Sequence, residues 1–169
     1  MTGVPAVFLD RDGVLIEDSG YPHLPEHLKL IPGATAAVRR LNRLGYLAVI
    51  VTNQSGVARG MFDEAQMNGF NALLVKRMAQ DGAVIGAVYA CPFHPEARDE
   101  RYRHPDHPDR KPNPGMLLRA MADHDIDPAK SFMIGDQPRD IEAAQRAGVS
   151  GFLFQGGDLD VFVRELIGA

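Results

Sequence analysis

The sequence predicts an α/β fold in which a parallel sheet carries helices on both faces. Three observations lead there. Short apolar runs alternate from end to end with segments of helical periodicity, as crossover connections require. The runs are almost continuously apolar, as strands buried on both faces are. Several of them stop abruptly in small polar or charged residues, where open α/β sheets place their ligands.

The elements follow in chain order. Strands are expected at AVFLD (6–10), YLAVIVT (46–52), GAVYA (86–90), SFMIG (131–135) and GFLF (151–154). The first helix, over 33–44, puts Ala37, Leu41 and Leu44 on one stripe and stops at Gly45, a residue suited to a left-handed cap. Asp63 is the expected N-cap of a second helix whose Met67, Phe70, Leu74 and Met78 recur at helical spacing until Gly82. A third helix is expected from Asn113-Pro114, a short turn at Asp127-Pro128, a fourth helix over 138–148 and a last one over 158–167. Between the third strand and the third helix runs CPFHPEARDERYRHPDHPDRKP (91–112), with the only cysteine, three of the six histidines and five of the twelve prolines. It reads as one elaborated loop, stiffened by its prolines.

With 169 residues the chain is expected to form a single domain, 1–169, and about 20 residues between Asp12 and Gly33 leave no room for a helical lid. A formal charge of −4, with 24% charged and 45% hydrophobic residues, gives no basic block for nucleic acid, so the expected partner is a small molecule and the expected state a monomer. A single cysteine excludes an internal disulfide. The start MTGVPAVFLD lacks a signal-peptide pattern, and no apolar stretch reaches the roughly 20 residues of a membrane span; a cytoplasmic location and no membrane partner are expected.

Four motifs carry chemistry. Asp10-Arg11-Asp12-Gly13 ends the first strand, and two carboxylates so close call for a cation such as Mg²⁺, leaving Asp10 able to attack phosphorus and Asp12 able to exchange a proton. Thr52-Asn53-Gln54-Ser55-Gly56 ends the second, offering a hydroxyl and backbone N–H groups to phosphate oxygens. Arg110-Lys111-Pro112 supplies a lysine for a transferring phosphoryl group and an arginine for a second anion. Gly135-Asp136, with Asp140 four residues on, offers a further carboxylate to Mg²⁺ and one that orients a ligand or caps a helix. Alone, the DxD pair reads more readily as a solvated Asp-rich turn, and TNQSG could simply be a turn.

Together, in this order, they resemble the haloacid dehalogenase-like phosphatases: DxD, Thr after the second strand, Lys, then GDxxxD. The resemblance covers about residues 5–155 and implies a Rossmann-like, capless sheet with a Mg²⁺-dependent aspartyl-phosphate site. It makes Asp10 the nucleophile, Asp12 the acid/base, Thr52 and Lys111 the phosphoryl stabilisers, and Asp10, Asp136 and the Asp12 carbonyl the Mg²⁺ ligands. Alternatively, a phosphate-binding module without catalysis would keep such a fold but lack the nucleophile or the lysine.

FLDRDGV, DSGY (18–21), VTNQSGVARG (51–60), RKPNPGM (110–116) and IGDQPRDIEAAQRAGV resemble one branch, the heptose bisphosphate and histidinol-phosphate phosphatases. The resemblance implies removal of the 7-phosphate of a D-glycero-D-manno-heptose 1,7-bisphosphate, a precursor of surface lipopolysaccharide, with histidinol phosphate as the alternative substrate. It assigns substrate recognition to Asp18, Ser19, Gly20, Tyr21 and Arg110, joined by Asn53, Gln54 and Ser55, with Arg59 a candidate for a remote phosphate. Gln137 stands where many relatives have Lys. That branch commonly binds Zn²⁺ in the loop, at positions matching Cys91, Phe93, His107 and Asp109. Phe93 cannot ligate, so the expectation left for zinc is a shifted set, Cys91, His94, His104 and His107, against a loop held by prolines and hydrogen bonds alone.

Overall fold

A computed structural model describes residues 3–168. Its centre is one five-stranded parallel sheet: β1 (Ala6–Leu9), β2 (Leu47–Asn53), β3 (Ala87–Cys91), β4 (Phe132–Gly135) and β5 (Ser150–Leu153), in the order β3-β2-β1-β4-β5. The five helices are α1 (Ala34–Arg43), α2 (Glu64–Gln80), α3 (Gly115–His124), α4 (Pro138–Arg146) and α5 (Leu159–Ile167). Every expected strand and helix is present, with ends displaced by one or two residues.

Strand alternation divides the core into two layers. Val7 and Leu9 of β1, Ala48 and Ile50 of β2, and Ile134 of β4 face α1, α2 and α5. Phe8, Val49, Val51 and Met133 face α3 and α4. Because both faces are covered, the strands could not alternate polar and apolar residues, which is why they read as unbroken runs. Met67, Phe70, Leu74 and Met78 of α2 are buried as expected. The α1 stripe needs a correction: Ala34, Ala37, Val38 and Leu41 are buried, whereas Leu44 caps the helix end and is 54% exposed. The turn closes through Gly45, at φ 90°.

The strand order reverses between β1 and β4, since β2 and β3 lie on one side and β4 and β5 on the other. A crevice opens at the carboxyl ends of two such strands because their following chains leave in opposite directions. Between Asp12 and Gly33 the only helical turn is a 3-10 turn at Pro25–His27, so this segment supplies no helical lid. No helix among the described residues is long and apolar enough to cross a membrane.

Candidate active site

Asp10 follows directly on β1, and its N–H donates to the Ile134 carbonyl (3.1 Å), carrying the β1–β4 pairing one residue further. Its Oδ1 accepts from the Arg11 N–H (2.9 Å) and from Lys111 Nζ (3.0 Å). Lys111 is buried and also reaches Asp140 Oδ1 (2.7 Å) and the Val51 carbonyl (2.9 Å). Asn53 fixes the lysine's backbone at both ends, accepting from its N–H (3.0 Å) and donating to its carbonyl (3.1 Å). The Asn53 side chain is thus committed to positioning Lys111.

Asp140 does two things. Its Oδ2 accepts from the N–H groups of Asp136 (3.1 Å) and Gln137 (3.0 Å), capping α4, while Oδ1 faces Lys111. Carboxylate oxygens of Asp10, Asp136 and Asp140 all lie within 4.8 Å of one another. Burial holds the Asp10 carboxyl well above the usual carboxylate range; Lys111 pulls it back, but Asp140 and Asp136 push the same way as burial. Burial draws Lys111 down, and its two carboxylate partners outweigh that and raise it. Three hard oxygen donors against one ammonium suit an added divalent cation. The backbone makes room for Asp136: a Cβ at Gly13, where φ is +87°, would fall on its carboxylate. The residues present therefore fit a divalent ion.

Asp12 stands apart from this cluster. Its carboxylate accepts from Arg11 Nε (2.7 Å) and Nη2 (3.2 Å). Arg11 is completely buried, and its other bonds go to Asn71 Oδ1, the Pro22 carbonyl and Gln54 Oε1. Gln54 in turn donates to Thr52 Oγ1 (2.8 Å). Sequence reasoning missed Arg11; the signal was an arginine enclosed between two carboxylates in an apolar context.

A cavity of about 330 Å³ opens over these groups. Asp10, Asp12, Lys111 and Asp136 line its buried end, Thr52 to Ser55 one wall, and Asp18, Gly20 and Tyr21 another. Ser19 is exposed and does not line it. Asp18 Oδ1 accepts from the Gly20 N–H (3.1 Å), forming the tight turn that presents Tyr21, and the Arg59 guanidinium lies 5.7 Å from the Tyr21 ring centre. Arg59, Arg110 and Arg139 line it too, Arg110 half-buried and the other two exposed. Arg139 carried no signal in the sequence beyond its place near the start of α4.

The D-glycero-beta-D-manno-heptose-1,7-bisphosphate 7-phosphatase of Rhodopseudomonas palustris is 44% identical to this chain over 164 residues, 96% of this chain and 90% of that protein. The chain belongs to that family. The HAD-hydrolase-like family profile matches residues 109–161, which include Lys111, Asp136 and Asp140. Among solved structures, the D,D-heptose 1,7-bisphosphate phosphatase of B. bronchiseptica, complexed with magnesium and phosphate, superposes with a TM-score of 0.84 at 32% identity, covering 97% of this chain and 98% of that one. A HAD-like phosphatase from Mesorhizobium loti superposes at 0.86, with 38% identity over 92% and 74% of the two chains.

Within this heptose phosphatase family chain, the 91–112 loop is held without an assembled zinc set. Among the described residues, no three of Cys91, His94, His104 and His107 offer ligand atoms to one point. The Nδ1 atoms of His94, His104 and His107 each accept a backbone N–H, from Glu96, Asp106 and Asp109, at 3.0 Å. An accepting Nδ1 leaves the proton on Nε2, so neither nitrogen is free for a metal without breaking a turn. Burial pushes the Cys91 thiol up to about 11. The ring of Phe93 instead stacks on His107 at 4.0 Å, with Tyr102 edge-on to Phe93, and Asp109 pairs with Arg119. His27 likewise serves structure, its Nδ1 accepting from His23 and Leu24, while His23 stacks on Phe62.

Proposed function

We propose that the chain hydrolyses phosphomonoesters with Mg²⁺ through a phosphorylated Asp10, and that its substrate is D-glycero-D-manno-heptose 1,7-bisphosphate, dephosphorylated at C7. The observation that carries the chemistry is the contact of buried Lys111 with Asp10 and Asp140 beside Asp136, at the point where the strand order reverses. Asp10, Asp136 and the Asp12 carbonyl would hold a Mg²⁺ ion, which would offset charge on the transferring phosphoryl group.

Lys111 and the Thr52 hydroxyl neutralise and orient the phosphoryl oxygens. A carboxylate oxygen of Asp10 forms a bond to phosphorus as the ester P–O bond breaks, and Asp12 gives its proton to the departing sugar oxygen. Water then attacks the acyl phosphate, Asp12 takes the water's proton, and inorganic phosphate leaves with the Asp10 carboxylate restored. Arg11 and Gln54 both donate to the Asp12 carboxylate and would hold it beside the phosphoryl group.

The substrate reading rests on the named relatives and on the charge of the cavity. Arg59 and Arg110 offer a second anionic group a partner, whereas the amine of histidinol phosphate would meet like charge there. The test is kcat/KM on the two substrates side by side. Heptose bisphosphate is expected to exceed histidinol phosphate by at least about 100-fold, as one misplaced charge contact would give; faster hydrolysis of histidinol phosphate would reverse the assignment.

A further inference from the structure

Arg139 has no part in the chemistry described so far, yet it lines the same cavity as Asp10 and Lys111. It is the second residue of α4, next to Asp140, whose carboxylate caps that helix and grips Lys111. Its backbone is therefore fixed against the reaction centre even though its side chain is exposed. Arg59 reaches the cavity from the segment after β2, and Arg110 from the segment before α3. Three guanidiniums from three parts of the fold thus share one opening.

Among the described residues, none of the three pairs with a carboxylate, whereas Arg40, Arg119 and Arg146 hold Asp160, Asp109 and Glu142. Burial lowers the Arg110 pKa, and Arg139 and Arg59 lower it further, so the three charges face one another. In a chain of net charge −4 such a group does not arise from an excess of cations. The amino end of α4 adds positive potential in the same place, and Gln137 and Pro138 add no charge of their own. Uncompensated guanidiniums in a cleft gain most from an anion with several acceptor oxygens, as phosphate has. The buried end of the cavity already has an acidic cluster with one lysine for the reacting phosphate.

We propose that Arg139 is a further specificity-determining residue of this chain: it adds a third guanidinium to the partners that Arg59 and Arg110 offer the second, non-reacting phosphate, and so strengthens the preference for bisphosphates over monophosphates. This rests on the phosphatase reading above and concerns the distal phosphate whichever sugar carries it.

The test compares the wild type, Arg139→Ala and Arg139→Lys on two substrate pairs: heptose 1,7-bisphosphate with heptose 7-phosphate, and fructose 1,6-bisphosphate with fructose 6-phosphate. Arg139→Ala is expected to lower kcat/KM on the bisphosphates by about 10- to 100-fold, chiefly through KM, and on the monophosphates by less than about 3-fold. Arg139→Lys should recover part of the loss. Equal effects on both members of a pair, no effect on either, or a wild type without preference for bisphosphate in both pairs would overturn the proposal. If the wild type prefers fructose to heptose bisphosphate, the heptose reading fails alone, and the fructose pair still decides the role of Arg139.

Discussion

Arg11 shows how much one side chain settles at this site. It joins the Asp12 carboxylate to Asn71 of α2, to the Pro22 carbonyl beyond the 18–21 turn and to Gln54 after β2, so three separate segments take their positions from one guanidinium. Arg11→Met would leave those acceptors unpaired and Asp12 unheld, and is expected to cost about 3 kcal/mol in urea unfolding. Arg11→Lys should restore part of that stability, but a point charge cannot hold Asp12 through two nitrogens. Its kcat should stay low with KM little changed; a kcat equal to wild type would remove the positioning role. The Asp10 and Asp12 pair, proposed above as nucleophile and acid/base, stood out in the sequence because two carboxylates ended an apolar run. Arg139 was not, because periodicity and spacing say nothing about which distant loops share a cavity.

At the scale of elements, the 91–112 loop departs furthest from its sequence. Its histidines and cysteine suggested ligands, but the local turns take each Nδ1 and the Phe93–His107 stack fills the space beside Cys91. Turn formation by His side chains competes with metal binding for the same lone pair, a contest that composition does not reveal. The buried thiol, held protonated at neutral pH, is expected to resist alkylation in the native protein. Phe93→Ala should expose it, speeding labelling at least about tenfold as the loop's opening free energy falls by about 1.5 kcal/mol or more. Rapid labelling of the wild type would contradict the packing. Leu44 was misjudged for a related reason: helical spacing continues past Arg43 in the sequence, while the backbone turns at Gly45 and leaves the side chain outside.

For the whole molecule, the fold class and all ten elements were legible, since long apolar runs and capped amphipathic helices each encode themselves locally. The strand order was not, although it decides the function: β1 and β4 must be neighbours for Asp10 and Asp136 to meet. That adjacency crowds three carboxylates around one lysine, a cost to folding that a divalent cation would offset. Mg²⁺ at about one hundred times its Kd should add about 2.7 kcal/mol, raising Tm by roughly 5–10 °C. Asp136→Asn should lose most of that increment, and an equal rise in wild type and variant would place the ion elsewhere. The central claim is that Asp10 itself takes the phosphoryl group, and turnover by folded Asp10→Asn with Mg²⁺ tests it most directly. The variant is expected to keep less than about one thousandth of the wild-type kcat, whereas phosphatase activity near the wild-type level would contradict covalent catalysis by Asp10.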